Sequence, residues 1–192
     1  MGGRMSIAKQ KLHWIDPRSS IATSLKHNDI AYATHGALQA MQVLMKMGMP
    51  TRKETLLDYG CGTGRVGRCL TPLAKQVYGY DPVPQTIEHG STEAAPLRFR
   101  NLTLTSNWDD VPEVDHGFSV NVMEHLSNDD AQEMIDHLAA KVRYGTVLYY
   151  NPVHNREVLY PYITDEERAE DAAMRANGSS VIIRLLRFRQ GR

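Results

Sequence analysis

The chain has 192 residues, 42% of them hydrophobic and 23% charged, with 22 basic and 22 acidic side chains and a formal net charge of +0. That is enough chain for one globular unit to bury most of its apolar surface, and the neutral balance excludes overall electrostatic steering toward nucleic acid or an anionic membrane. No secretory signal and no apolar run long enough to span a bilayer can be read, so a cytoplasmic location is expected, and two cysteines, Cys61 and Cys69, are too few for a disulfide framework.

Residues 1–10 read as poorly ordered, and 11–24, with Trp14, Pro17 and a Ser/Thr cluster, as a loop or short helix packed over the domain. Asn28 or Asp29 caps a helix over 30–47 that places Ala33, Ala37, Ala40, Met41, Leu44 and Met45 near one face. Gly48 and Pro50 end it. Met41, Met45, Met47 and Met49 are expected to pack in the core rather than form an adaptable binding surface.

The organising stretch is 55–82, TLLDYGCGTGRVGRCLTPLAKQVYGYDP. Leu56 and Leu57 open a short apolar run ending at Gly60, the pattern of a buried parallel strand. Gly60, Gly62 and Gly64 alternate through a turn where missing Cβ atoms permit positive φ and let a ligand lie against the backbone. From Arg65 the apolar residues Val66, Leu70, Leu73 and Ala74 recur at helical spacing, so the loop opens into a helix whose first amides face the ligand. Gln76 to Tyr80 is a second strand with Asp81 at its carboxyl end, where an acidic group can accept hydrogen bonds from both ribose hydroxyls. Gly62, Gly64 and Gly67 also satisfy G-x-G-x-x-G, a dinucleotide pattern that is weak evidence alone. Asp58 separates the two readings, because a carboxylate there repels a pyrophosphate and favours a cationic amino group. Cys61 reads as a small side chain filling the loop, since no basic partner adjoins it in sequence.

Pro82 and Pro84 start a short helix through about His89, with Gly90 to Pro96 as a connector. Leu97 to Thr105 alternates as a third strand at a sheet edge. The turn Ser106-Asn107-Trp108-Asp109 follows; Trp108 could either stack on a ligand base or simply pack. Val114 to Val120 is a fourth strand, followed by Asn121-Val122-Met123-Glu124-His125-Leu126. Ser127 or Asn128 caps a helix through about Val142, with Met134, Ile135, Leu138 and Val142 facing inward. Gly145 turns into a fifth strand, Thr146 to Tyr150. Thr164-Asp165-Glu166-Glu167 is a capping box for a helix to Arg175, ended by Asn177-Gly178, and Ser180 to Phe188 is a last strand. Arg184, Arg187, Arg189 and Arg192 make a basic end that reads as a strand with solvated faces or as a phosphate-contacting tail.

Two separated motifs carry a resemblance. Asp58-x-Gly60-x-Gly62-x-Gly64 resembles motif I of the class I S-adenosylmethionine (SAM) methyltransferases, and Asp115, five residues, then N-V-M-E-H-L resembles the segment after strand 4 in their small-molecule branch. The resemblance covers about 56–152. It implies a three-layer α/β Rossmann-like fold: a mostly parallel sheet of six or seven strands, helices on both faces, and a C-terminal hairpin that is abbreviated or completed by an irregular strand near 158–163. It divides the chain into a covering segment, 1–50, and a SAM-binding domain, 51–192. It implies methyl transfer from SAM, with S-adenosylhomocysteine as product, to oxygen or nitrogen of a small molecule. A nucleic-acid or protein acceptor, or a non-catalytic SAM-binding subunit, stays open, and the oligomeric state is not readable.

By resemblance, Asp58, Gly60, Cys61, Gly62 and Gly64 hold the methionine side, Asp81 and Pro82 the ribose. Ser106, Asn107 and Trp108 stand at the adenine, where the family usually has an acidic residue that is here Ser106 or Asn107. Asn121 completes the cofactor side; metal-using relatives carry Glu at that position, and Asn is a poorer ligand for a hard cation, so no metal is expected. His125 and His154 are candidate general bases, since histidine titrates near working pH. Tyr32, His35 and Glu124 are candidates on the acceptor side.

Overall fold

The computed structural model describes residues 29–94, 99–151, 157–178 and 181–188. The sequence readings of 1–28, His154, Arg189 and Arg192 fall outside them, as do 95–98, which hold the end of the expected connector and Leu97, and the side chain of Tyr32. In chain order the elements are α1 (Asp29–Met47), β1 (Thr55–Tyr59), α2 (Arg65–Leu70), β2 (Gln76–Tyr80), α3 (Pro84–Ala94), β3 (Leu102–Thr105), β4 (Val114–Val120), α4 (Asn128–Lys141), β5 (Val142–Tyr150), α5 (Asp165–Ala176) and β6 (Ile182–Leu186). Short 3-10 turns lie at Trp108–Asp110, Met123–His125 and Glu157–Tyr162.

The sheet has six strands in the order β3-β2-β1-β4-β5-β6. The first five are parallel and β6 runs antiparallel to β5. Because chain order reverses between β1 and β4, their carboxyl ends flank a crevice, the place where open α/β sheets bind ligands. Alternation along β1 splits the interior in two. Leu56 joins Ala40, Val43, Val66, Leu70, Val77, Phe118 and Val147 beneath α1 and α2. Leu57 joins Met134, Ile135, Leu138, Leu148, Leu159, Ile182 and Leu186 on the opposite face.

Several boundaries differ from the sequence reading. α2 is only six residues long, so Leu73 and Ala74 pack from a turn rather than from the helix. α3 runs through Gly90 to Ala94 instead of stopping at His89. β3 begins at Leu102, with Arg100 and Asn101 in a turn before it, so the strand is shorter than the sequence pattern implied. α4 passes directly into β5 at Val142, four residues before the expected strand start, and a register shift between Val114 and His116 absorbs the change of direction. The 158–163 region is a 3-10 turn containing Pro161, which has no N–H to give a ladder, so the sheet gains no seventh strand there.

The inward face of α1 is also rotated from the expected one. Gly36, Gln39, Ala40 and Val43 are buried, whereas Ala33 and Ala37 are exposed. Met41 and Met45 are 54% and 79% exposed, and Met49 is exposed as well. Three of the four methionines are therefore surface, while Met47 packs, partly buried, against the core as expected. Arg184 likewise does not lie on a solvated face. It is buried, paired with Asp171 and, at 2.8 Å, with Glu170, while the Tyr150 hydroxyl donates to Asp171 Oδ2. This network fixes α5 to the β5–β6 edge. Arg187 is exposed.

Both expected helix starts are present. Ser127 Oγ accepts from Asp130 N while Asp130 accepts from Ser127 N, and Thr164 pairs with Glu167 in the same way. Ser127→Ala is expected to lower stability by about 1 kcal/mol, measured by urea unfolding, since one orphan amide loses its acceptor.

Candidate functional site

The glycine loop follows β1 because Gly60, Gly62 and Gly64 all take positive φ, at 74°, 54° and 82°. Gly60 has a second reason to be glycine: a Cβ there would lie 2.3 Å from Val122 Cγ2, which closes over it from the segment after β4. Gly62 differs. A Cβ there would meet only Thr86 Cγ2 at 3.9 Å, so its outer side is open to a ligand.

The loop amides are largely committed. Gly60 N and Cys61 N both donate to Tyr80 O, Gly64 N donates to Cys61 O, and Gly62 N donates to Asp81 Oδ2 at 3.0 Å. Asp81 Oδ1 accepts from Val83 N at 3.0 Å. The carboxylate thus stands at the end of β2 holding both the loop and the start of the next segment. Each oxygen retains a further lone pair for an outside donor. Burial raises the Asp81 carboxyl above the ordinary range, opposed by these two backbone N–H groups.

Asp58 lies under the loop, 2% exposed, with Oδ2 accepting from Gly67 N at 3.1 Å. Burial pushes its carboxyl up to about 7, against the Gly67 hydrogen bond and the Arg65 cation, with Asp81 adding to the rise. It braces the loop against α2 from inside. Cys61 is buried and its thiol is held well above the ordinary value by that burial, which suits a packing side chain and not a nucleophile.

Of the residues expected on the acceptor side, His35 has its Nδ1 2.8 Å from Arg65 Nη1. Arginine can only donate, so Nδ1 accepts and the proton of the neutral ring sits on Nε2. Burial first and the Arg65 cation second hold this ring below the ordinary histidine range. Asn121 carries a positive φ of 57°, and is the single non-glycine residue to do so among the described residues. Its N–H donates to Tyr149 O, and the turn it starts presents a half-buried Glu124 and an exposed His125. A strained backbone at a strand end beside an open crevice is where functional sites concentrate.

The turn after β3 is engaged with the protein itself. Asn107 Oδ1 accepts from Asp109 N, and its Nδ2 donates to Asp110. The Trp108 ring stacks on His137 with centroids 4.4 Å apart and meets Tyr59 and Tyr80 edge-on; Lys141 Nζ lies over its other side. Of the two readings of Trp108, packing is the one this geometry displays. Ser106 is half-buried and Pro82 exposed. Among the described residues no three His, Cys, Asp or Glu side chains are placed to hold a metal ion, and no helix is long and apolar enough to cross a membrane.

Sequence reasoning gave Arg68, Gly90 and Val122 no part in holding the loop, which all three touch; Gly90 reads in the sequence only as the start of a connector.

Comparison with known proteins adds to this geometry. The family described as "Methyltransferase domain" matches residues 56–145. An uncharacterized RNA methyltransferase of Staphylococcus epidermidis is 43% identical over 54 residues, 28% of this chain; the chain spans 12% of that relative's length. The solved magnesium protoporphyrin IX methyltransferase from Synechocystis PCC 6803 with bound SAM superposes with a TM-score of 0.56 at 18% identity, over 80% of this chain and 77% of that one. Phosphoethanolamine N-methyltransferase 1 of Haemonchus contortus, in complex with phosphoethanolamine and S-adenosylhomocysteine, gives 0.58 at 16% identity, over 75% of this chain and 31% of that one. The match to the methyltransferase domain family thus takes in β1 to the start of β5, a little under half of the chain, and the six-stranded sheet with its glycine loop shares the fold of these solved SAM-dependent methyltransferases.

Proposed function

We propose that the protein moves a methyl group from SAM to an oxygen or nitrogen of a small-molecule acceptor. The observation that carries the donor half is Asp81: a carboxylate bonded to Gly62 N at the switch point, with spare acceptor capacity, beside a loop glycine whose outer face is open. Residues 51–192 form the catalytic unit on this reading, and 1–50 cover it. SAM, when bound, supplies a methyl carbon activated by its sulfonium. What remains to the protein is alignment, which accounts for roughly 7 to 11 kcal/mol of a barrier in favourable cases, and removal of the acceptor proton.

Asp81 and Pro82 serve the ribose, and Gly60 to Gly64 the methionine moiety. Asp58 acts from below by holding the loop and placing negative charge near the ammonium. His125, exposed on the turn after β4, takes the acceptor proton. Glu124 and His35 line the acceptor side. The small-molecule reading is supported by the two solved neighbours named for small acceptors, and by a formal net charge of +0.

A second reading, RNA as acceptor, is favoured by one observation, the local match to relatives named as RNA methyltransferases. Calorimetric titration tests the donor site. Micromolar or tighter binding of S-adenosylhomocysteine with no binding of NADH is the expected result, and absence of binding to folded protein defeats it. Turnover of radiolabelled SAM over a panel of small hydroxyl and amine acceptors, against total RNA at two salt concentrations, then separates the acceptor classes; salt-sensitive labelling of RNA alone overturns the small-molecule reading. Binding with no turnover on any acceptor marks a non-catalytic subunit instead.

A further inference from the structure

Arg68 sits on α2, one turn beyond the glycine loop, and is the side chain that joins the loop to α3. Its Nη2 donates to Thr63 O at 2.8 Å and to Gly90 O at 2.7 Å. Thr63 lies between Gly62 and Gly64. Gly90 is buried inside α3, and a Cβ there would fall 2.7 Å from Thr63 O and 2.8 Å from Thr63 Cα. These are backbone atoms, which cannot swing aside as the end of a flexible side chain would. The loop therefore rests directly on a helix at the one position where the helix has no side chain.

We propose that Arg68 and Gly90 form a clamp that positions the glycine loop for the donor, so that α3 controls donor affinity through a contact that never touches the donor. The inference rests on the donor site proposed above. The loop is held on both sides of the Gly62–Thr63 peptide: Gly62 N by the Asp81 carboxylate and Thr63 O by the Arg68 guanidinium. The Gly62 face left open between them is then preset before any ligand arrives, and a preset loop spares the ordering cost of binding. A guanidinium suits the task because the two N–H groups of its Nη2 are held in a fixed plane and reach the carbonyls of two different elements at once, whereas a lysine ammonium is a point charge on a flexible stem. Arg68 is a positioning residue on this account, not a catalytic one. The extension of α3 through Gly90 is part of the device, since a helix ending at His89 would not bring a carbonyl and a bare Cα to the loop.

The test uses Arg68→Met, Arg68→Lys, Gly90→Ala and the Arg68→Met/Gly90→Ala double variant, with two readouts. Amide hydrogen exchange on ligand-free protein reads the loop directly; calorimetry with S-adenosylhomocysteine reads the donor site. Arg68→Met is expected to speed exchange at Gly62 to Arg65 with β1 and β4 unchanged, and to weaken S-adenosylhomocysteine by about tenfold or more, the loss of charge-assisted bonds to two carbonyls. Arg68→Lys should recover only part of that. Gly90→Ala should weaken binding by pushing the Thr63 backbone, and the double variant should fall short of the product of the singles because both act at Thr63.

Unchanged loop exchange in folded Arg68→Met protein, or exchange raised evenly across β1 and β4, overturns the clamp whether or not the wild type binds the ligand. So does wild-type affinity in both Arg68→Met and Gly90→Ala. Absence of binding by the wild type, with loop exchange raised in the variants, instead defeats the donor assignment and leaves the clamp as a brace of the loop. Should Arg68→Met fail to fold, Gly90→Ala with Arg68→Lys decides by the same two readouts.

Discussion

Asp81→Ala is expected to weaken S-adenosylhomocysteine binding by at least about a hundredfold. The carboxylate holds Gly62 N and Val83 N, each at 3.0 Å, and each oxygen retains acceptor capacity for the ribose hydroxyls of the proposed donor. Alanine removes the acceptor for outside hydroxyls and also the anchor of the loop amide. Hydrogen bonds to a charged group are worth roughly 1.5 to 3 kcal/mol each, and losing two gives about 3 to 6 kcal/mol, which sets the lower bound on the change in Kd. Asp81→Asn keeps one acceptor oxygen and should lie between. Calorimetry gives the affinities. A loss below fivefold in the alanine variant would show that Asp81 does not meet the ligand, and a loop still ordered by hydrogen exchange would show that it is not needed as a brace either.

The second large effect is on stability and belongs to Asp58. Its folded carboxyl is raised from the ordinary 3.8 to about 7 because it is fully enclosed, with one hydrogen bond from Gly67 and one nearby cation, Arg65, as the opposing influences. A carboxyl raised on folding means that the folded state holds the proton more tightly than the unfolded state. Its contribution is fully present below pH 4 and is lost as pH rises from about 4 through about 7. At 1.36 kcal/mol for each pH unit, the gap between 3.8 and about 7 amounts to about 4 kcal/mol.

Asp58→Asn keeps an acceptor for Gly67 N and removes the ionisation. Urea unfolding at a series of pH values should therefore show the variant holding its stability between pH 4 and 8 while the wild type declines, with the curves converging near pH 4. The same substitution should weaken S-adenosylhomocysteine binding above pH 7, since the ligand ammonium loses a nearby anion. Gained stability with lost affinity is the expected trade where a charge is kept buried for function. Parallel pH curves for the two proteins would show that Asp58 is not the group responsible.

The sheet itself was readable because its strands are nearly continuous apolar runs bounded by turn residues. β2 and β4 coincide with the expected Gln76–Tyr80 and Val114–Val120. Ser127 and Thr164 marked their helices for a local reason: a capping box is written in four consecutive residues, and its hydrogen bonds close within them. Readings that needed a neighbouring element fared worse. The periodicity of α1 allowed more than one buried face, and packing against α2 and β5 selected the one carrying Gly36, Gln39, Ala40 and Val43. That choice exposed Met41 and Met45. Arg184 looked like a solvated strand residue until α5 brought Asp171 and Glu170 over it.

At the candidate site the same division holds. The alternating glycines and the acid at the end of β2 are local in sequence, so the loop, its left-handed conformations and the position of Asp81 could be expected from residues 55–82 alone. Which way each side chain turned could not. Asp58 faces inward onto Gly67, Trp108 stacks on His137, and Arg68 reaches back to Thr63 and across to Gly90. Each of these contacts joins groups that the fold, not adjacency in the chain, determines. The sequence by itself thus determined the class of fold and the place of the glycine loop, because these follow from backbone freedom and apolar period, whereas the strand order appears only in the folded sheet. The tertiary structure alone decided which polar side chains brace that loop, because hydrogen bonding and burial depend on neighbours 5 to 30 residues away in the chain.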